Sequence, residues 1–195
     1  HSPLARRRWE EICRIVEAYL TEAESPANLV IAEFAATSVA VTERLAAIVD
    51  RFGANLVVFE DDENLRSNLR VALAANPRVT IVDDGLASFC RPISLAVSAN
   101  GFLCSRTAKD GEMKASLRRA AESGAQLALI EHPSTVLSDF ILGLNDGWFD
   151  QTILADMPIG AMLASSHMPA HLEAMGFQHV EARRIELADG PLVAV

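Results

Sequence analysis

The chain predicts one α/β domain with a largely parallel sheet and helices on both faces. Apolar, strand-like runs alternate with helix-like amphipathic stretches five times along the 195 residues. Strands joined by helical crossovers run parallel, with right-handed connections. The last two apolar runs are joined only by Ala188-Asp189-Gly190. That short link predicts an antiparallel hairpin at the C-terminal end of a seven-stranded sheet.

Residues 4–23 read as an amphipathic helix, since Trp9, Ile12, Cys13, Val16 and Leu20 recur at helical spacing and Ser25-Pro26 ends it. Residues 1–27 therefore form a helix and lead-in, and 28–195 the α/β domain. The first strand is expected over about 28–34. A helix over about 39–52 follows, closed by Gly53. The second strand covers 55–60 and runs into Glu60-Asp61-Asp62, and a helix over about 63–75 stops at Asn76-Pro77. Strand three is 79–82, before Asp83-Asp84-Gly85, and strand four is 94–99. A helix over 112–123 capped by Gly124, strand five over 127–130, a less regular stretch over 134–164 and a helix over about 168–175 come next. Strands near 177–186 and over 192–195 complete the order.

Composition narrows the function. Half of the residues are apolar and 22% are charged, as in an ordinary globular domain. No run approaches the roughly 18 apolar residues of a membrane span. A net charge of −9 argues against nucleic acid, which needs a basic face, and the cluster Arg6-Arg7-Arg8 reads as a solvated helix face. Cys13, Cys90 and Cys104 are odd in number and widely spaced, which predicts neither disulfides nor zinc and points to a reducing cytoplasm. His167, His171 and His179 lack metal-ligand partners and spacing. The chain starts at His1 and stops within an apolar run, as a domain excised from a larger multidomain protein would.

The organising stretch is Leu29–Thr37, an apolar run that meets Glu33 and then Ala35-Ala36-Thr37-Ser38. A nucleotide-type sheet opens this way, but its turn normally carries glycines for close backbone approach and φ > 0. With Glu60 closing strand two, the Ser94–Cys104 motif at strand four and Glu131 closing strand five, the order of motifs resembles class I S-adenosylmethionine-dependent methyltransferases, a Rossmann-like fold. More narrowly, it is similar to the C-methyltransferase domains of type I polyketide synthases and related fatty acid synthases. Asp139–Leu144, Gly147-Trp148-Phe149-Asp150 and Leu172–Phe177 match the substrate-side and closing segments of those domains.

The resemblance implies S-adenosylmethionine as cofactor, with Glu33, Ala35, Thr37, Glu60 and Asn100 at its site. It places Glu131 and Cys104 at the reacting end, and Trp148 and Phe149 along an acyl chain; His132, next to Glu131 at the carboxyl end of a strand, is a further candidate base by its position. Phosphopantetheine would enter only through the parent's acyl carrier domain, a partner together with the neighbouring synthase domains. Two departures stand out. Ala35 and Thr37 occupy the family's glycine positions, and Cys104 stands where the family places a histidine base.

Each residue also has a plainer reading. Glu33 could cap the next helix, and Glu60 could belong to a solvated acidic helix start. Cys104 could be a small buried apolar residue and His132 a loop residue before Pro133, while Trp148 and Phe149 could be core. The sequence thus favours a degenerate methyltransferase-like domain with a structural role. An active C-methyltransferase on a carrier-bound β-ketoacyl group, or a stand-alone small-molecule methyltransferase, are the alternatives.

Overall fold

The computed structural model describes residues 3–36, 38–82, 89, 91–99, 118–131, 168–185 and 192–194. Helix α1 (Pro3–Glu22) is followed by a 3-10 turn at Pro26–Asn28, strand β1 (Val30–Phe34) and helix α2 (Val39–Phe52). Strand β2 (Asn55–Phe59), helix α3 (Glu63–Leu73), and strands β3 (Val79–Val82), β4 (Leu95–Ser98) and β5 (Gln126–Glu131) come next. Residues 118–122 are helical. Helix α4 (Met168–Glu173) and the short strands β6 (Arg183–Ile185) and β7 (Leu192–Ala194) follow.

Five strands form a parallel sheet in the order β3-β2-β1-β4-β5. The register aligns Glu33 with Val58 and Phe34 with Phe59 on one side of β1, and Glu33 with Val97 on the other. At the β5 edge, Ile130 and Glu131 pair antiparallel with Ala194 and Val193 of β7, which pairs in turn with β6.

Period-two alternation in β1 divides the core. Ile31 faces a cluster built from α1 and α2, with Trp9, Ile12, Val16, Leu20, Leu45 and Val49 at its centre. Val30, Ala32 and Phe34 face a second cluster with Leu129, Leu172, Met175 and Phe177. Both faces of β1 are therefore covered, as a central parallel strand requires. Burying one such Leu or Val contributes about 1.5–3 kcal/mol.

Several boundaries differ from expectation for local reasons. The first strand starts at Val30 because Pro26 nucleates the 3-10 turn, closed by the Leu29 amide donating to the Pro26 carbonyl at 2.9 Å. The penultimate strand begins only at Arg183, because the segment before it turns through Gly176 and through His179 at φ 57°. Gly53 behaves as expected: at φ 72° its amide and that of Ala54 close α2 onto Asp50 and Val49. The residues of the expected 112–123 helix before 118, and the stretch 134–164, lie outside the described residues.

Candidate functional site

The strand order reverses between β1 and β4, and an open α/β sheet binds its ligand at such a switch point, outside the carboxyl ends of the strands. Glu33 and Glu60 stand there. Glu33 is the fourth residue of β1 and shares the face of Ile31, toward α1 and α2. It is 4% exposed, and its Oε2 has no hydrogen-bond partner. Burial pushes its carboxyl up to about 7; a hydrogen bond from Thr42 opposes the rise and the charge of Glu60 adds to it.

Thr42 is fully buried in the first turn of α2. Its hydroxyl lies 3.4 Å from the Ser38 carbonyl and also reaches the Glu33 carboxyl. One proton serves one acceptor at a time, so an ionised Glu33, as the stronger acceptor, takes it. Ser38 occupies the N-cap of α2, yet its side chain makes no cap bond, and its Oγ is buried without a partner.

Glu60 follows β2 directly and is 8% exposed. The Asp62 amide donates to its Oε1 at 2.8 Å, while Oε2 has no partner. Burial again raises the carboxyl; the Asp62 backbone bond opposes this, and the charges of Asp61 and Asp62 reinforce it. Asp62 also caps α3, its Oδ1 accepting from the Leu65 amide at 2.7 Å. Arg66 turns back from α3 to donate to the backbone carbonyls of Glu60 at 2.8 Å and Asp61 at 3.4 Å. Glu60 is thus a held carboxylate with one oxygen to spare, rather than a solvated helix start.

Between the two acids lies Ala35. Its φ of 51° is the left-handed conformation that favours glycine, and its amide donates to the Phe59 carbonyl at 3.0 Å. The turn therefore keeps the backbone geometry of a glycine turn while carrying a Cβ. On the opposite face, Phe34 stacks on Phe59 with centroids 4.8 Å apart, and Phe89 meets Phe59 edge-on at 6.0 Å.

The structure brings Glu33, Ala35 and Glu60 to one end of the sheet. Glu131 ends β5, its backbone paired with Val193 of β7. Thr37, Asn100, Cys104, His132, Trp148 and Phe149 lie outside the described residues. Sequence reading missed Thr42, Ser38 and Ser98. Ser98 ends β4, 1% exposed, with an unpartnered Oγ. The signal for the first two was present, because a serine before a helix with a threonine four residues on can reach back toward a strand-end acid. No cluster of three metal-ligating side chains occurs among the described residues. No helix among them is long and apolar enough to cross a membrane. A cavity of about 670 Å³ opens near the start of β5 between Gly124, Gln126, Leu172, Phe177 and His179, at the end of the sheet away from the carboxylates.

No family model matches the chain. No curated protein sequence matches it either. Solved structures do. The C-methyltransferase domain of the citrinin polyketide synthase superposes with a TM-score of 0.72 at 17% identity, covering 95% of this chain and 51% of that one. The CurJ carbon methyltransferase gives 0.76 at 13% identity over 100% and 55%, and the DszA carbon methyltransferase 0.71 at 16% over 100% and 54%. The chain has the class I methyltransferase fold. It spans about half the length of those three carbon methyltransferases. Magnesium protoporphyrin IX methyltransferase from Synechocystis PCC 6803, solved with bound SAH, also shares the fold, with a TM-score of 0.58 at 16% identity over 98% of this chain and 84% of that one. Within a methyltransferase fold, the carboxyl ends of β1 and β2 are the end at which a ligand is expected.

Proposed function

We propose that the chain is the core of a C-methyltransferase-like domain from a type I polyketide or fatty acid synthase, degenerate in its cofactor site and acting chiefly as structure. The observation that carries this is Ala35, a residue with a Cβ held at φ 51° in the turn between Glu33 and Glu60. In that turn the backbone itself must approach the cofactor, and a methyl group there displaces the ligand it should cradle. The domain then packs among its neighbours in the synthase, and the acyl carrier visits other sites. In this reading β6 and β7 form the antiparallel hairpin that closes a seven-stranded methyltransferase sheet.

The residues toward the cofactor still fit it in part. Glu33 and Glu60 each keep a buried oxygen without a partner, which suits the ammonium and ribose hydroxyls of S-adenosylmethionine. When bound, that cofactor supplies an electrophilic methyl group. The second reading, an active C-methyltransferase on a carrier-bound β-ketoacyl group, rests on these two oxygens. It assigns proton abstraction to Cys104 or His132 with Glu131 assisting, and assigns the acyl chain to Trp148 and Phe149. Ala35, Thr37 and Asn100 would border the cofactor.

Calorimetric titration with S-adenosylmethionine and S-adenosylhomocysteine, alongside a methyl-transfer assay on a carrier-bound β-ketoacyl thioester, tests both. Weak or absent binding with no transfer is expected. Micromolar binding with transfer would replace the first reading by the second.

A further inference from the structure

We propose that the cavity at the start of β5 is a docking slot for an extended peptide strand, apolar at alternate positions and donated by a neighbouring domain of the parent synthase. This rests on reading the chain as a structural domain of such a synthase, and it names the surface by which the domain packs.

The slot is a gap in the sheet one strand wide. β7 pairs with β5 on one side and β6 on the other, so β5 and β6 stand two strand spacings apart, roughly 9–10 Å. That bridge is short. On its β7 side, β5 is paired only at Ile130 and Glu131 among the described residues, and residues 126–129 have a strand neighbour only in β4. Across the gap, the segment 178–182 leads into β6 and makes no backbone hydrogen bond among the described residues. Continuing the antiparallel register past Ala194 sets successive strand positions between Leu129 and Ala182, Ala128 and Glu181, Leu127 and Val180, and Gln126 and His179. The cavity of about 670 Å³ occupies that gap, lined by Gln126 and Leu127 from one wall and by His179, Val180 and Glu181 from the other.

The chemistry of the gap selects its occupant. Both walls present main-chain donors and acceptors at strand spacing. A small molecule meets them at one or two points, whereas an extended backbone meets both rows along its length. Leu127 shares the face of Leu129, toward the second core cluster, where Leu172 and Phe177 floor the cavity. The strand residue set beside Leu127 therefore lies on an apolar surface, and the residues before and after it point to the opposite face. Glu181 stands in the wall, and no lysine or arginine is among the described residues that line the cavity. A basic residue in the strand is favoured there over an acidic one. With a net charge of −9, a second copy of the chain is repelled where a basic segment is attracted.

The test titrates the chain with synthetic peptides. Acetyl-Thr-Val-Thr-Val-Thr-Lys-amide supplies the alternation and the base. A second peptide replaces its central threonine by proline, which removes a main-chain donor, and a third replaces its lysine by aspartate. With the first peptide about tenfold above its Kd, amide hydrogen exchange should slow about tenfold at alternate residues of both walls, within 126–129 and 178–182. The proline peptide should bind about tenfold more weakly or worse, and the aspartate peptide about twofold to fivefold more weakly at low salt. Ala121→Trp fills the cavity from the helical residues 118–122 and should abolish binding. The protection pattern on the parent protein does not depend on how that variant folds. Absence of peptide binding at millimolar concentration, protection of one wall only, or equal binding of the proline peptide overturns the proposal. A dimer in sedimentation that protects both walls without peptide puts a second copy in the slot and overturns it as well. None of these outcomes touches the carboxylate end of the sheet, where titration with S-adenosylmethionine decides the reading of the domain separately.

Discussion

The amide of Ala35 donates to the carbonyl of Phe59 at 3.0 Å, extending the β1–β2 hydrogen bonding one residue past the strand and fixing Ala35 at φ 51°. The ladder sets the conformation, so the alanine cannot relax out of it without losing that bond. For an L-residue the left-handed region costs about 1–2 kcal/mol. Ala35→Gly removes this strain, offset by the greater freedom glycine gains in the unfolded chain. The variant should be more stable by about 0.5–1 kcal/mol in urea titration. If the Cβ is what weakens the cofactor site, the same change should tighten S-adenosylmethionine by on the order of tenfold or more. A destabilised Ala35→Gly would show that the alanine is not strained.

Glu33 gives stability a pH dependence of predictable sign. Its folded pKa of about 7 lies above the 4.5 of the free side chain. Between those values the folded protein holds a proton that the unfolded chain has released. Stability therefore falls as pH rises through that window, by on the order of 3 kcal/mol in total. Glu33→Gln cannot titrate. Its stability relative to the parent should grow between about pH 5 and pH 8, and chemical denaturation at those two values measures it. A constant difference would show that Glu33 is ionised throughout.

How far the fold was legible depended on how local each signal was. Gly53 at the end of α2, Asn76-Pro77 after α3 and the apolar runs of β1 to β5 are written in short-range pattern, and the five-stranded parallel sheet follows from them. The glycine-free turn was legible as a departure at Ala35, but the left-handed angle it retains was not, because the neighbouring strand imposes it. Glu33 and Glu60 could be read from the strand ends. Their spare oxygens could not, since these depend on Thr42 and Asp62 packing around them in three dimensions.

Cys13 should be chemically silent in the folded protein. It is 3% exposed on the inner face of α1, and burial raises its thiol above the ordinary value, opposed by Arg44 and reinforced by Glu33. Reactivity needs an accessible thiolate, and both conditions fail here. Alkylation with iodoacetamide followed by peptide mass mapping should label Cys13 only once denaturant unfolds α1. Labelling under native conditions at the rate of a free thiol would mean that α1 opens locally.

Asp62 has two separable duties, and two substitutions distinguish them. Its side chain caps α3 through Leu65, while its backbone amide holds Oε1 of Glu60. Asp62→Ala loses the cap and keeps the amide, so it should cost about 1 kcal/mol in thermal or urea unfolding. Asp62→Asn keeps a capping oxygen and should lie within about 0.5 kcal/mol of the parent. Asparagine also removes a negative charge that raises the Glu60 carboxyl. Glu60 should then ionise at lower pH in Asp62→Asn, which carbon-detected NMR titration of the side-chain carboxyl can follow. An unchanged Glu60 titration would mean that the charge of the Asp62 side chain does not reach Glu60 and acts only on the helix it caps.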